Sequence, residues 1–210
     1  MSEFAQLAQF VYKGAAPSVK ELTQKMVDSG TSPMEIITNG LLAGMDIVSP
    51  KFKNGEMFVP EVMMSARALG EGMKILKPLI SGEDVSVAKT IVIGTVSGDL
   101  HDIGKNLVVM ILESGGFNVV DLGVDVSPAK FVAAVKENNA QVVGMSALLT
   151  TTMLNMKETI DLMKEEGLRD QVKIMIGGAP VSQSFADEIG ADAYCADAMA
   201  AKDTAGKFLK

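Results

Sequence analysis

From about residue 89 onward the chain alternates two periods, and that alternation limits the fold more tightly than any other feature of the sequence. Five short runs, "KTIVIGTV", "FNVVDLG", "AQVVGMSALL", "VKIMIGG" and "ADAYCA", are short, apolar and bounded by turn residues, as buried strands are. Helical stretches lie between them near 103–114, 127–138, 151–166 and 181–189, with a last one near 197–209. Strands that alternate with helices of this length make parallel crossovers. The pattern therefore predicts a five-stranded, doubly wound α/β sheet with helices on both faces.

Residues 1 to about 80 follow the helical period alone, in segments near 2–13, 17–28, 33–48 and 60–79. Pro17, Pro33 and Pro60 each stand where a first helical turn accepts a residue without an N–H. Four short antiparallel helices predict a four-helix bundle. The join "KPLISGEDVSVAK" mixes proline, glycine and polar residues, so the expected organisation is a helical domain over 1–80, a linker over 81–88 and an α/β domain over 89–210.

A formal charge of −7 argues against a nucleic-acid partner, which needs a basic face to displace counterions. The single cysteine, Cys195, excludes an intramolecular disulfide and suits a reducing cytoplasm. The N-terminal stretch "MSEFAQLAQFVYKG" has no basic segment ahead of an apolar one, so no export signal is expected. Apolar runs such as "LVVMIL" are too short to cross a bilayer, and no membrane association is expected.

In a flavodoxin-like, Rossmann-type sheet of order 2-1-3-4-5, ligands sit beyond the carboxyl ends of the strands, where the winding reverses between the first and third. "SGDLHDIG", "SALLTTT" and "GGAP" follow the first, third and fourth strand runs and so converge on one crevice. Its glycines, Gly98, Gly104, Gly123, Gly177 and Gly178 among them, suit close approach of a large ligand. A P-loop does not fit, because Gly98 and Gly104 have the wrong spacing and Lys105 is followed by Asn106. Nor does a phosphoacceptor receiver fit, since Met145 and Ser146 end the third strand where an aspartate is needed.

His101 is the only histidine in the chain. A lone histidine is commonly a surface or structural residue, but Asp99 stands two positions away, where its carboxylate can hold one ring nitrogen and leave the other for a metal. With no second histidine or cysteine in that loop, a single-ligand site suits a metal whose other positions belong to a macrocycle.

Asp99-Leu-His101-Asp102-Ile103-Gly104 resembles the D-x-H-x-x-G signature of cobamide-binding domains. Ser146-Ala147-Leu148 follows after residues 105–145 and Gly177-Gly178 after residues 149–176, in the family's order. With its helical first half, the chain resembles the corrinoid-binding module of methyltransferases, as in methionine synthase and the small corrinoid proteins of methanol, methylamine and methoxyarene demethylation. The resemblance implies a vitamin B12-type cobamide whose own base has left cobalt, with His101 as the lower ligand, Asp99 bonded to His101 and Ser146 bonded to Asp99. It implies that the nucleotide tail enters the crevice past Thr95, Val96, Gly98, Gly104, Gly123, Ser146, Leu148, Thr150 and Thr151, with Gly177, Gly178, Tyr194, Ala196 and Asp197 at its outer end. Thr150 and Thr151 also suit a helix cap.

Phe58, Met63 and Met64 fall off the apolar stripe Val62, Ala66, Leu69, Met73, Leu76 and are expected to rest on the corrin. The implied function is a carrier that cycles between cobalt(I) and the methylated cobalt(III) form and does not turn over alone. The implied partners are a substrate-specific methyltransferase, an acceptor methyltransferase using tetrahydrofolate or a thiol such as coenzyme M, and a reductive activation protein. Two alternatives share the signature: the small subunit of an adenosylcobalamin-dependent mutase and a B12-sensing regulatory domain.

Overall fold

A computed structural model describes residues 2–79 and 89–209. The chain divides into two compact units, Met1–Ala88 with Ser114–Gly116, and Lys89–Glu113 with Phe117–Lys210. The expected linker, 81–88, lies outside the described residues.

The first unit contains α1 (Glu3–Tyr12), α2 (Ala16–Asp28), a composite helix α3 and α4 (Val59–Leu76), the last followed by a 3₁₀ turn, Lys77–Leu79. Helix α3 runs through three segments: α-helical Pro33–Glu35, π-helical Ile36–Leu42 and α-helical Ala43–Lys53. It outlasts the predicted end at 48, because Pro50 is accommodated inside it. There the Ser49 hydroxyl donates to the Met45 carbonyl at 3.0 Å. Burial of Leu7, Val11, Leu22, Met26, Ile36 and Leu41 supplies the core. On α4 the stripe Val62, Ala66, Leu69 and Leu76 is buried, as its spacing requires.

The second unit is built from β1 (Thr90–Thr95), α5 (Ile103–Ser114), β2 (Asn118–Asp121), α6 (Pro128–Asn138) and β3 (Val142–Ser146). It continues with α7 (Leu154–Glu165), β4 (Lys173–Gly177), α8 (Gln183–Ile189), β5 (Ala193–Tyr194) and α9 (Ala198–Phe208). The strands pair in parallel in the order β2-β1-β3-β4-β5, as expected from the alternating pattern.

Ser127, Ser182 and Asp197 accept backbone N–H bonds at the starts of α6, α8 and α9, which fixes where each helix leaves its loop. Strand residues divide between the two faces. Val92, Val143 and Ile174 pack with Phe131, Met156 and Ile160 of α6 and α7, while Ile91, Ile93 and Met175 pack with Leu112 and Ala201 of α5 and α9. Thr95 is level with Ser146, and Ser146 with Gly177, so β1, β3 and β4 finish side by side and deliver their loops to one edge.

Candidate functional site

The loop from β1 to α5 holds His101 by its own backbone. The Thr95 hydroxyl donates to the His101 carbonyl at 2.9 Å, the Asp99 N–H donates to the Val96 carbonyl at 3.2 Å, and Gly98 takes φ +76°, a conformation glycine supplies without strain. His101 Nδ1 lies 2.7 Å from Asp99 Oδ1, which also accepts the His101 N–H at 3.1 Å. An ionised carboxylate can only accept, so Nδ1 carries the proton and Nε2 is the nitrogen left with a lone pair. The imidazole side chain is 52% exposed while Asp99 is wholly buried.

A bare carboxylate so buried would be strongly disfavoured. Its other oxygen, Oδ2, accepts from the Thr152 hydroxyl at 2.7 Å and from the N–H groups of Leu148 at 2.8 Å and Leu149 at 3.2 Å. Burial pushes the Asp99 carboxyl up, but the Thr152 hydroxyl, the Leu148 N–H and the His101 donors outweigh it and hold the group well below the usual carboxylate range. The hydroxyl that meets Asp99 is therefore that of Thr152 and not, as expected, that of Ser146. Ser146 is still the last residue of β3, and its side chain lines the cavity described below. Thr152 is buried in the turn before α7, which starts at Leu154 rather than 151, whereas Thr150 and Thr151 are exposed and cap no helix. The sequence signal available for Thr152 was only its place as the third of three threonines.

A cavity of about 400 Å³ lies on the α5/α9 face of the sheet. Gly104, Ser146, Gly177, Gly178, Tyr194, Ala196 and Asp197 line it, together with Ile93, Lys105, Val108, Gly144, Met175, Cys195 and Ala201, none of which was expected at the site. Gly104 has open space where a Cβ would stand, as a cradle for a ligand requires. Gly178 is different: at φ +130° its Cβ would fall 1.8 Å from the Ala147 carbonyl oxygen, so the close approach it permits is to the chain itself. A Cβ at Gly177 would likewise fall 2.9 Å from the Cys195 carbonyl oxygen. Asp197 spends its carboxylate on the Ala200 N–H at 2.7 Å.

Other expected contacts lie elsewhere. Thr95 and Val96 are wholly buried and support the loop from beneath rather than presenting a surface to a ligand. Gly123 is in the β2–α6 loop, where its carbonyl accepts the Thr95 N–H at 3.0 Å. Asp102 is exposed and accepts from the Asn106 amide at 3.0 Å. Lys105 is buried against Asp121, with Nζ 2.6 Å from Oδ2. Phe58, Met63 and Met64 are exposed on the helical unit at 67%, 44% and 55%.

Leu100, Ile103, Leu148, Leu149 and Leu154 are exposed apolar side chains on the loops after β1 and β3 and at the starts of α5 and α7. Among the described residues, no group of three or more His, Cys, Asp or Glu could hold a metal ion. One half-exposed imidazole, exposed apolar side chains on the loops that follow β1 and β3, and an apolar cavity at the same sheet edge fit a macrocycle that brings its own metal ligands and a tail. The residues present thus fit the cobamide implied by the motif.

Two family models, each described as a B12 binding domain, match residues 89–203 and 3–77. A corrinoid protein of Desulfitobacterium hafniense (strain Y51) is 44% identical over 212 residues, covering 100% of this chain and 98% of its own. Dimethylamine corrinoid protein 1 of Methanosarcina mazei is 48% identical over 178 residues, 84% of this chain and 82% of its own. Among solved structures, the methanol:cobalamin methyltransferase complex MtaBC from Methanosarcina barkeri superposes with a TM-score of 0.88 at 33% identity, over 97% of this chain and 78% of that one. With matching models over both its halves, the chain belongs to the B12-binding domain family.

Proposed function

We propose that this protein is a corrinoid protein that carries a methyl group between methyltransferases. The observation that supports this most directly is the half-exposed imidazole of His101, held through Nδ1 by buried Asp99 at the sheet edge that carries an apolar cavity lined by Gly104. One relative is named for dimethylamine and a structural neighbour for a methanol:cobalamin methyltransferase complex, which supports partners of the methyltransferase class.

A bound cobamide supplies a cobalt centre that accepts a methyl group and surrenders it. His101 would offer Nε2 to that cobalt. Asp99 would keep the Nδ1 proton in place, and Thr152 with the Leu148 and Leu149 N–H groups would hold Asp99 ionised. The imidazole can then gain or lose donor strength as the proton shifts along the Asp99 bond. Leu100, Ile103, Leu148, Leu149 and Leu154 would offer the macrocycle an apolar surface that keeps water away. The cavity lined by Gly104, Ser146 and Tyr194 would take the displaced base and tail.

An acceptor methyltransferase working on tetrahydrofolate or a thiol such as coenzyme M, and a reductive activation protein, complete the proposed cycle. The test is to load the protein with a cobamide, reduce it, and mix it with candidate methyltransferases and a panel of methylated substrates. One pair should convert the reduced spectrum to that of the methylated form, and His101→Ala should remove the histidine nitrogen coupling from the cobalt(II) spin-resonance spectrum. A wild-type spectrum in which the cofactor's own base remains coordinated would overturn the assignment.

A further inference from the structure

Among the described residues two that are not glycine take a positive φ: Asn139 at 47° and Asp125 at 52°. Asn139 is the C-cap of α6, where a left-handed residue closes the helix. Asp125 closes nothing. It lies in the loop between β2 and α6, fully outside any helix or strand.

That loop is tied to the end of β1. The Thr95 N–H donates to Gly123 at 3.0 Å, the Val126 N–H donates to Thr95 at 2.9 Å, and Val96 bridges Val126. Asp125 therefore arrives beside the His101 loop on a fixed support. Its Oδ1 accepts the Gly98 N–H at 2.7 Å and the Ser97 hydroxyl at 3.4 Å, and its own N–H donates to the Asp99 carbonyl at 3.0 Å. One residue thus grips the backbone on both sides of the Gly98–Asp99 peptide. Glycine would adopt φ 52° at less cost, but it would bring no acceptor for Gly98. A strained conformation kept by a side chain that holds a functional loop is a reason to look for a role.

We infer that Asp125 is a positioning residue for His101. By fixing Gly98 and Asp99 it sets the direction in which Asp99 offers Oδ1 to Nδ1, and so holds the ring in the tautomer whose free nitrogen is Nε2. The inference deepens the proposed role of His101 as the cobalt ligand and rests on that reading.

Because His101 is the only histidine, its ring nitrogens give the only imidazole signals in the protein. Nitrogen-15 NMR of the full, cofactor-free chain labelled at histidine would report the tautomer and the exchange rate of the Nδ1 proton in wild type, Asp125→Gly and Asp125→Asn. Asp125→Gly, which suits the backbone and lacks the acceptor, should exchange that proton roughly tenfold faster, whereas Asp125→Asn, which keeps an oxygen, should stay within about twofold of wild type. Should the glycine variant fail to fold, Asp125→Asn still decides: an altered tautomer or an exchange rate well outside about twofold of wild type there would overturn the inference. A wild-type exchange rate in the variant without the acceptor, or equal disturbance in the asparagine variant, would overturn the inference. In parallel, cobalt(II) spin resonance on loaded wild type tests the ligand reading separately: absence of histidine coupling there defeats that reading while the NMR comparison still decides the positioning role.

Discussion

The Thr152 hydroxyl donates to Asp99 Oδ2 across 2.7 Å in a buried contact that spans 53 positions of sequence. Asp99 in turn holds His101 through its other oxygen, so the orientation of the one histidine is set by two loops that meet only because β1 and β3 end level with each other. Each link in that chain can be broken separately.

Thr152→Val keeps the shape and removes the donor, and should lower the unfolding free energy in urea by ~1.5–3 kcal/mol, the usual worth of a hydrogen bond to a charged acceptor. Thr152→Ser should recover most of the loss. Ser146→Ala, which leaves the hydroxyl on Asp99 untouched, should change stability by less than about 0.5 kcal/mol while altering cofactor retention.

Asp99→Asn places an amide where one oxygen met Thr152 and two backbone N–H groups, so a donor must now face donors on one side or the other. The expected cost is ~2 kcal/mol or more at neutral pH. Because the folded carboxyl titrates below its ordinary value, the stability it contributes is fully present above about pH 4 and is lost as the pH falls through the lower folded value. Urea curves for wild type and variant should keep a constant separation from pH 7 down to about pH 5 and converge only in stronger acid. Convergence already between pH 7 and about pH 5 would contradict this account of Asp99.

Gly104→Ala and Gly178→Ala should part company. At position 104 a Cβ meets nothing within 4 Å and lies in the first turn of α5, so the variant should melt at or slightly above the wild-type temperature yet load cobamide more weakly. At position 178 the Cβ would collide with the Ala147 carbonyl, and the variant should lose several kcal/mol or fail to fold. Thermal melts with and without cofactor separate the two cases.

Cys195 lines the cavity and is buried, and that burial raises its thiol; the Thr204 hydrogen bond opposes the shift and the Asp197 charge adds to it. A raised folded value means that the contribution of the protonated thiol is present below its unfolded value near 8.5 and is lost as the pH rises through the higher folded value. Native protein at about pH 8 should therefore react with iodoacetamide at least tenfold more slowly than unfolded protein, and cobamide should slow it further. Equal rates in the native and unfolded states would show that the thiol is not sequestered.

The alternation of periods beyond residue 89 was enough to place each strand and each intervening helix to within a few residues, and it implied the order β2-β1-β3-β4-β5 because parallel crossovers have few compact solutions. The histidine, its aspartate and the glycines of the crevice were legible for the same reason: they lie close together in sequence or in a motif of fixed spacing. Helix α3 was misjudged at Pro50, where packing of the helix outweighed the local preference against proline. Which hydroxyl meets Asp99, that Asp125 grips Gly98, and that Gly178 makes room for Ala147 rather than for a ligand were decided only by the tertiary structure. Periodicity and composition act along the chain, whereas a hydrogen bond depends on separations of a few tenths of an ångström between loops whose ends the sheet brings together.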